Sequence, residues 1–272
     1  LASGIMLMGF GLGGLALGSV VTKFIAGIGI FSTFKLLAIA IFVVLLVAAI
    51  IIKAPEAPTA GASKTAAADD NTHHYTSAEM MKTSRFWIFF LWAIALNSAG
   101  LMVINSAANI SVAYGGSAVL GMIVSLFNGA GRIVAGNNFD RFGRKTSSIV
   151  NNIFMIIAGA LLIAGGVSHS LILVVIGLIF VGLSYGGTPT ITSAYVNKAF
   201  GAKYFATNFS IANFSLIPAA IIGPIISAKL LEAAGGKYDS NFRALIVFTL
   251  VALALWIGLN IASKKSDNED YK

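Results

Sequence analysis

The chain has 272 residues, of which 57% are hydrophobic and 10% charged, with a mean hydropathy of +0.89. Soluble domains carry roughly 25% charged residues, so too few charges are present to wet the surface of an ordinary globular protein. The absence of cysteine excludes a disulfide framework and a thiolate metal site, and the net charge of +8 is distributed in a way that argues for membrane topology rather than for nucleic acid.

The chain opens Leu1-Ala2-Ser3-Gly4, without a starting methionine or a basic stretch before the first apolar run. A signal peptide would show that basic region and a cleavage site. Residue 1 therefore reads as the edge of an incomplete sequence. Eight apolar segments follow: Ala2–Thr22, Phe34–Ile52, Phe86–Ile110, Ala118–Asn138, Ser147–Val167, Leu171–Tyr195, Thr207–Leu230 and Ala244–Ala262. Each approaches or exceeds the roughly 20 residues that a helix needs to cross about 30 Å of hydrocarbon, and all are too long and too apolar for strands of a membrane barrel. The first is dense in glycine, at Gly4, Gly9, Gly11, Gly13, Gly14 and Gly18, as suits closely packed membrane helices.

Between the second and third segments, Lys53 to Ser84 changes composition to Ala, Thr, Ser, Pro and Asp. It has little apolar surface to offset its ordering entropy and reads as a mobile linker. His73 and His74 within it lack further ligands at metal-binding spacing and read as solvated. Basic residues favour one side of the membrane. Lys53, Lys64, Lys82, Arg85, Arg141, Arg144, Lys145, Lys198, Lys203, Lys264, Lys265 and Lys272 share a side, against Lys23, Lys35, Lys229, Lys237 and Arg243. That bias places the linker and the C-terminus in the cytoplasm, and the cell membrane is the expected location of the protein. A shift of 205 residues lays the first two segments on the last two, with Gly18 on Gly223. This fits two repeated halves, the first represented here only by its end. The expected organisation is then 1–52 for the end of the first half, 53–85 for the linker, 86–262 for a six-helix second half and 263–272 for a tail.

Between the fourth and fifth segments runs Gly136-Asn137-Asn138-Phe139-Asp140-Arg141-Phe142-Gly143-Arg144-Lys145. Gly143 permits a tight reversal, and Asp140 with the arginines is placed to pair across helix ends. The run resembles the G-x-x-x-D-R-x-G-R-[RK] loop signature of the major facilitator superfamily, with every specified position filled. The resemblance implies an all-α membrane fold of twelve helices, of which the eight segments would be helices 5 to 12. It implies a cytoplasmic gate at Gly136, Asp140, Arg141, Gly143, Arg144 and Lys145, and partners in the lipid bilayer and in four preceding helices of the same chain. A narrower resemblance, to the oxalate/formate antiporter family and its monocarboxylate-transporter relatives, rests on Leu1 to Ile5 with Met8-Gly9-Phe10-Gly11, on Asn128-Gly129-Ala130-Gly131-Arg132, on Tyr185-Gly186-Gly187, on Phe200-Gly201-Ala202-Lys203 and on Gly223-Pro224.

Arg132 stands apart from the other basic residues because it falls well inside an apolar segment, whereas Lys35 and Lys229 lie at the edges of theirs. A charge at mid-membrane costs about 2.5–3.5 kcal/mol on insertion scales, so it normally faces the bundle interior or a wet cavity. None of the ten acidic residues lies in a proposed span, and a guanidinium fork matches a carboxylate ligand. The oxalate/formate resemblance likewise implies a substrate-binding arginine here. Helical spacing places Asn128 and Ser125 on the face of Arg132. It also groups Ser98, Asn105 and Asn109; Tyr185, Thr188, Thr192 and Tyr195; Asn208 with Ser215; and Phe209 with Asn213. Pro189 is expected to kink its helix and free a carbonyl. Such polar faces either line a cavity or join helices. The expected substrate site is Arg132, Asn128, Asn105, Tyr185 and Asn213.

The sequence departs from the oxalate type, which carries a lysine in helix 11. Here the seventh segment offers Asn208, Ser210, Asn213 and Ser215, with no lysine before Lys229. One cation favours a monocarboxylate such as formate, lactate or pyruvate. The spans contain no acidic residue or histidine, which favours exchange or uniport over proton coupling. A proton-coupled symporter or exporter of another solute, and a non-transporting sensor on the same scaffold, are the alternatives. No phosphate-binding loop, nucleophile–base pair or metal cluster is evident, so the sequence implies neither an enzyme nor a cofactor.

Overall fold

The computed structural model describes residues 17–51, apart from 19 and 22, and residues 73–269, with side chains up to Ile261. The first apolar segment therefore lies mostly outside the described residues, as does most of the linker. The chain divides into two compact units, one holding residues 16–73 and the other residues 74–272 with 1–15. In the first, α1 (Ile30–Ile51) follows a break at Gly29, whose φ is +80°, and Thr33 Oγ1 donates to the Gly29 carbonyl at 2.8 Å. It has 22 residues, and an 18-residue stretch of it has a mean hydropathy of 3.0. At 1.5 Å per residue the helix reaches about 33 Å, enough to cross a bilayer.

The second unit contains α2 (Ser77–Lys82), α3 (Ser84–Ile104), α4 (Ala107–Ala113), α5 (Ala118–Gly121), α6 (Ile123–Ser168), α7 (Leu171–Phe200), α8 (Phe205–Asn213), α9 (Leu216–Ala233) and α10 (Asp239–Glu269). No strand occurs among the described residues. Among the described residues, six helical stretches are long and apolar enough to cross a membrane. The longest, running over 118–168, is not one crossing. Gly143 within α6 has φ 74° and ψ −175°, a combination that only glycine adopts readily. Ala135 and Asn151, eight residues either side of it, both lie against Gly187. In a straight helix they would be about 24 Å apart. The chain therefore reverses at Gly143, as the loop signature leads one to expect, and α6 supplies two antiparallel arms.

Both arms pack against α7. On one seam, Gly131 faces the Leu183 backbone, Gly182 faces the Val124 carbonyl and Gly186 faces the Asn128 backbone. Glycine is needed there because a Cβ would collide with main chain, and the resulting contact is close in the manner of small-residue membrane interfaces. On the other, Asn151 Nδ2 donates to Thr188 Oγ1 at 3.1 Å and Ser184 Oγ donates to the Asn151 carbonyl at 2.8 Å. Helix α3 lies against α7, α9 and α10. It carries much of the core, with Phe86, Phe89, Trp92, Leu96 and Met102 all buried. Near its end Ser227 Oγ donates to the Met102 carbonyl at 3.0 Å, and Asn241 Nδ2 donates to Ser227 Oγ at 2.7 Å, joining α3, α9 and α10.

Two expected segments are broken. The third, expected to run unbroken from Phe86 to Ile110, stops at Asn105, and α4 restarts at Ala107. The seventh, expected over Thr207–Leu230, is interrupted at Phe214–Ser215. Pro218 explains the second break: it has no N–H to offer the Phe214 carbonyl and its ring crowds that oxygen. The chain tightens instead, with Phe214 N donating to the Ile211 carbonyl and Ser215 N to that of Ala212. Uniform helical spacing across 98–109 or 208–215 is therefore lost, and with it the alignment of Asn109 with Asn105 and of Ser215 with Asn208.

At the end of the unit remote from Gly143, Tyr114, Tyr238, Phe242 and His169 form a cluster of rings, with Tyr114 and Tyr238 each 6.3 Å from Phe242. Asp239 faces Gly166 beside Tyr114. Burial pushes both tyrosines above their ordinary pKa, and the nearby Asp239 carboxylate adds to the rise at Tyr114.

Candidate functional site

Arg132 occupies the middle of the first arm of α6, nine residues after Ile123 and eleven before Gly143. Its side chain is 1% exposed. The guanidinium and the Tyr185 phenol are near enough to interact electrostatically. The Tyr185 ring itself rests on Gly100 of α3, where a Cβ would come within 2.6 Å of its Cδ2. Asn128, one turn before Arg132, is 9% exposed, and its Oδ1 is buried with no hydrogen-bond partner. Three helices thus supply one cluster: α6 gives Arg132 and Asn128, α7 gives Tyr185, and α3 gives the glycine that seats it. Pro189 lies within α7, and its missing N–H leaves the Tyr185 carbonyl without its helical donor.

The other two expected site residues are placed differently. Asn105 is exposed and ends α3, five residues or about 7.5 Å beyond Gly100. Asn213 is half-buried and ends α8. Each marks the point where its helix breaks. Thr188 and Thr192 donate to the carbonyls of Ser184 and Thr188, and so serve packing within α7 and against α6. Tyr195 stacks on Phe89 with ring centres 4.0 Å apart.

The loop signature is spread over the Gly143 end. Gly136 is buried, whereas Asp140, Arg141 and Lys145 are exposed. Arg144 reaches two other helices. Its Nη2 donates to Asn260 Oδ1 of α10 at 3.1 Å, and its guanidinium lies 5.6 Å from the centre of the Tyr195 ring of α7.

A further set of contacts at this end was not expected. The last part of the linker, expected to be mobile, contains a capped helix. Thr76 and Glu79 cap α2 reciprocally, Thr76 Oγ1 accepting from the Glu79 amide and the Glu79 carboxylate from the Thr76 amide. Tyr75 N donates to the Phe200 carbonyl at 3.0 Å. Asn208 Nδ2 donates to the Tyr75 carbonyl at 2.9 Å, and Ser77 Oγ donates to Asn208 Oδ1 at 2.8 Å. The Arg85 guanidinium lies over the rings of both Tyr75 and Phe200, at 4.7 and 5.0 Å. His73 and His74 are exposed, as expected, although His74 also abuts Gly201. Sequence carried a readable signal for the cap, Thr76-x-x-Glu79. For Asn208 it carried none, since an asparagine in an apolar segment looks the same whether it lines a cavity or holds a strap.

Buried charge at mid-span, a signature loop at one end and an all-helical apolar body together describe a membrane carrier. The family model of the Major Facilitator Superfamily matches residues 1–217 and, in an overlapping alignment, 109–270. The chain belongs to the Major Facilitator Superfamily. No curated protein matches it. Membership makes the chain an integral, multi-pass membrane protein of a family of secondary transporters, not of enzymes. Within that family setting, the Arg144 contacts put the loop signature where helix ends meet, and the Arg132 cluster lies half a span away from it.

Proposed function

We propose that the protein carries small organic anions, with monocarboxylates such as formate, lactate or pyruvate as the favoured class, by exchange through alternating access. The observation that carries this reading is Arg132, a cation 1% exposed at the middle of an apolar arm. A site that retains a charge at that depth does so at a cost. A carboxylate entering from water would repay that cost through a charge-assisted, two-pronged pair. Asn128 offers an amide and Tyr185 a hydroxyl beside it, the polar groups needed to orient a small ion in an otherwise apolar pocket. The seventh segment adds no second cation before Lys229, which favours one negative charge over two. Asn105 and Asn213 sit at helix interruptions, and interrupted helices expose main-chain groups where membrane carriers bind their cargo.

The loop signature, read with the excess of basic residues on its side, belongs to the cytoplasmic gate, with Arg144 tying α6 to α7 and α10. The overlapping family matches support a chain built from related halves, the second of them covering 86–262.

The test is counterflow of labelled formate in liposomes containing the full-length transporter, with unlabelled mono- and dicarboxylates as competitors and Arg132→Gln alongside. Competition by monocarboxylates, lost in the variant, is the expected result. Uptake that is indifferent both to carboxylates and to Arg132→Gln would remove the anion reading and leave the family assignment standing.

A further inference from the structure

The two pieces of the seventh segment have different neighbours. Helix α9 packs against α3 and α10, whereas α8 packs against the end of α7 and against α2 of the strap. Between them lies the Phe214–Ser215 break, where Pro218 removes a helical bond and the chain passes through two tight turns. A rigid helix would share one set of contacts along its length; here the break separates two sets. The side-chain hydrogen bonds that tie α8 to the strap come from Asn208. Asn208 is fully buried, and its amide is used on both sides, the Nδ2 donating to the Tyr75 carbonyl and the Oδ1 accepting from Ser77 Oγ. The strap is in turn fastened through Tyr75 N to the Phe200 carbonyl and through Arg85 over the Tyr75 and Phe200 rings.

We propose that Asn208 is a positioning residue of the transport cycle, clasping the half-helix Phe205–Asn213 to the linker strap Tyr75–Ser77, and that opening this clasp lets the half-helix swing about the Phe214–Ser215 break. The strap is the end of the linker, so tension on the linker reaches α8 through Asn208 before it reaches α9. Hinges of this kind are a few residues at element ends that absorb backbone rotation while the packed bodies on either side stay intact. Neither Asn208 nor Ser77 belongs to the Arg132 cluster, and the inference does not depend on what the protein carries.

The test uses full-length protein in lipid nanodiscs and hydrogen exchange of the amides of 205–213 and 216–233. In Asn208→Ala, and more mildly in Ser77→Ala, exchange in 205–213 is expected to rise by about tenfold or more, as two hydrogen bonds are lost locally. Exchange in 216–233 should stay unchanged. These 272 residues hold no cysteine, so Ser77→Cys combined with Asn208→Cys, with any cysteine elsewhere in the full-length protein replaced by serine, gives a pair for a short, reducible bifunctional thiol reagent. Bridging should slow exchange in 205–213 below the unbridged level and halt solute turnover in liposomes, and reductant should reverse both. The proposal is overturned if both pieces loosen together in the alanine variants, if neither does, or if the bridged protein turns over like the reduced one. Ser77→Ala retains Asn208 and its bond to Tyr75, so it reports on the clasp even where Asn208→Ala lowers the yield of folded protein. Should wild type exchange no carboxylate, the hydrogen-exchange arms still decide for or against the clasp.

Discussion

Arg144 and Asn260 are joined by a hydrogen bond of 3.1 Å across 116 residues of sequence, so that the second arm of α6 is fastened to α10 next to the point where the chain reverses. The same guanidinium faces the Tyr195 ring. Asn260→Ala removes the acceptor but leaves the cation and its ring contact, and should cost about 1–2 kcal/mol, less than a fully buried charged hydrogen bond. Arg144→Lys keeps the charge but loses both the fork and the flat face that meets Tyr195. It should cost at least as much as Asn260→Ala. Thermal unfolding of the purified variants in detergent checks the order.

Gly143→Ala separates conformation from packing. Nothing lies within 4 Å of where its Cβ would stand, so no clash enters. The backbone at φ 74° and ψ −175° nevertheless resists any other residue, at a cost of about 1–3 kcal/mol. A lowered unfolding temperature is expected, together with slower solute turnover if the reversal between the arms must be kept during transport. An alanine variant as stable as wild type would show that the backbone there relaxes freely.

Gly186→Ala tests the opposite case. Its Cβ would run into the Asn128 carbonyl and come within 2.9 Å of Asn128 Oδ1, so α7 must move off α6. Overpacking of this kind costs about 1–3 kcal/mol. Because Asn128 is one turn from Arg132, the affinity for a solute bound at the proposed Arg132 site should fall along with the stability. Gly182→Ala strains the same seam against the Val124 carbonyl, two turns from Arg132, and should lower stability with a smaller loss of affinity. Parallel thermal-shift and competition measurements distinguish the two.

At the remote end, Tyr114 and Tyr238 predict an alkaline limit. Their pKa values are raised above the ordinary 10.0 by burial and, at Tyr114, by Asp239. The folded protein therefore holds these protons more tightly than the unfolded chain. Their contribution is complete below pH 10.0 and declines as pH rises from there through the folded pKa. Tyr114→Phe should flatten the loss of stability above pH 10 and leave the profile near neutrality unchanged. Unfolding temperatures collected from pH 8 to 11.5 would show it.

The helical membrane body and the reversal at Gly143 were legible because apolar length and a glycine-containing basic loop act locally. The Arg132, Asn128 and Tyr185 grouping was half-legible. Asn128 follows from helical spacing, whereas Tyr185 reaches Arg132 only because Gly100 and the α6–α7 seam bring α7 close, and no periodicity encodes that. Asn105 and Asn213 show where spacing fails. A face drawn through them assumes an unbroken helix, and Pro218, which cannot donate to the Phe214 carbonyl four residues before it and leaves that oxygen to Ile217 N, breaks one of the two. The strap was misread for a different reason. Composition averaged over Lys53 to Ser84 hides ten residues at its end that find partners on α7 and α8, where burial of Met80 and the Asn208 bonds offset the ordering cost.

The seam between α6 and α7 sets how this protein can be re-engineered. Where main chain rests on main chain at Gly131, Gly182 and Gly186, the spacing of the two helices has no adjustable part. A library that aims at a larger or differently charged solute gains nothing by randomising those positions. Diversity belongs in the side chains that project from the seam's edge, at Asn128 and Tyr185, and in the seat at Gly100, where the obstacle to a larger residue is a ring that can turn rather than a backbone that cannot.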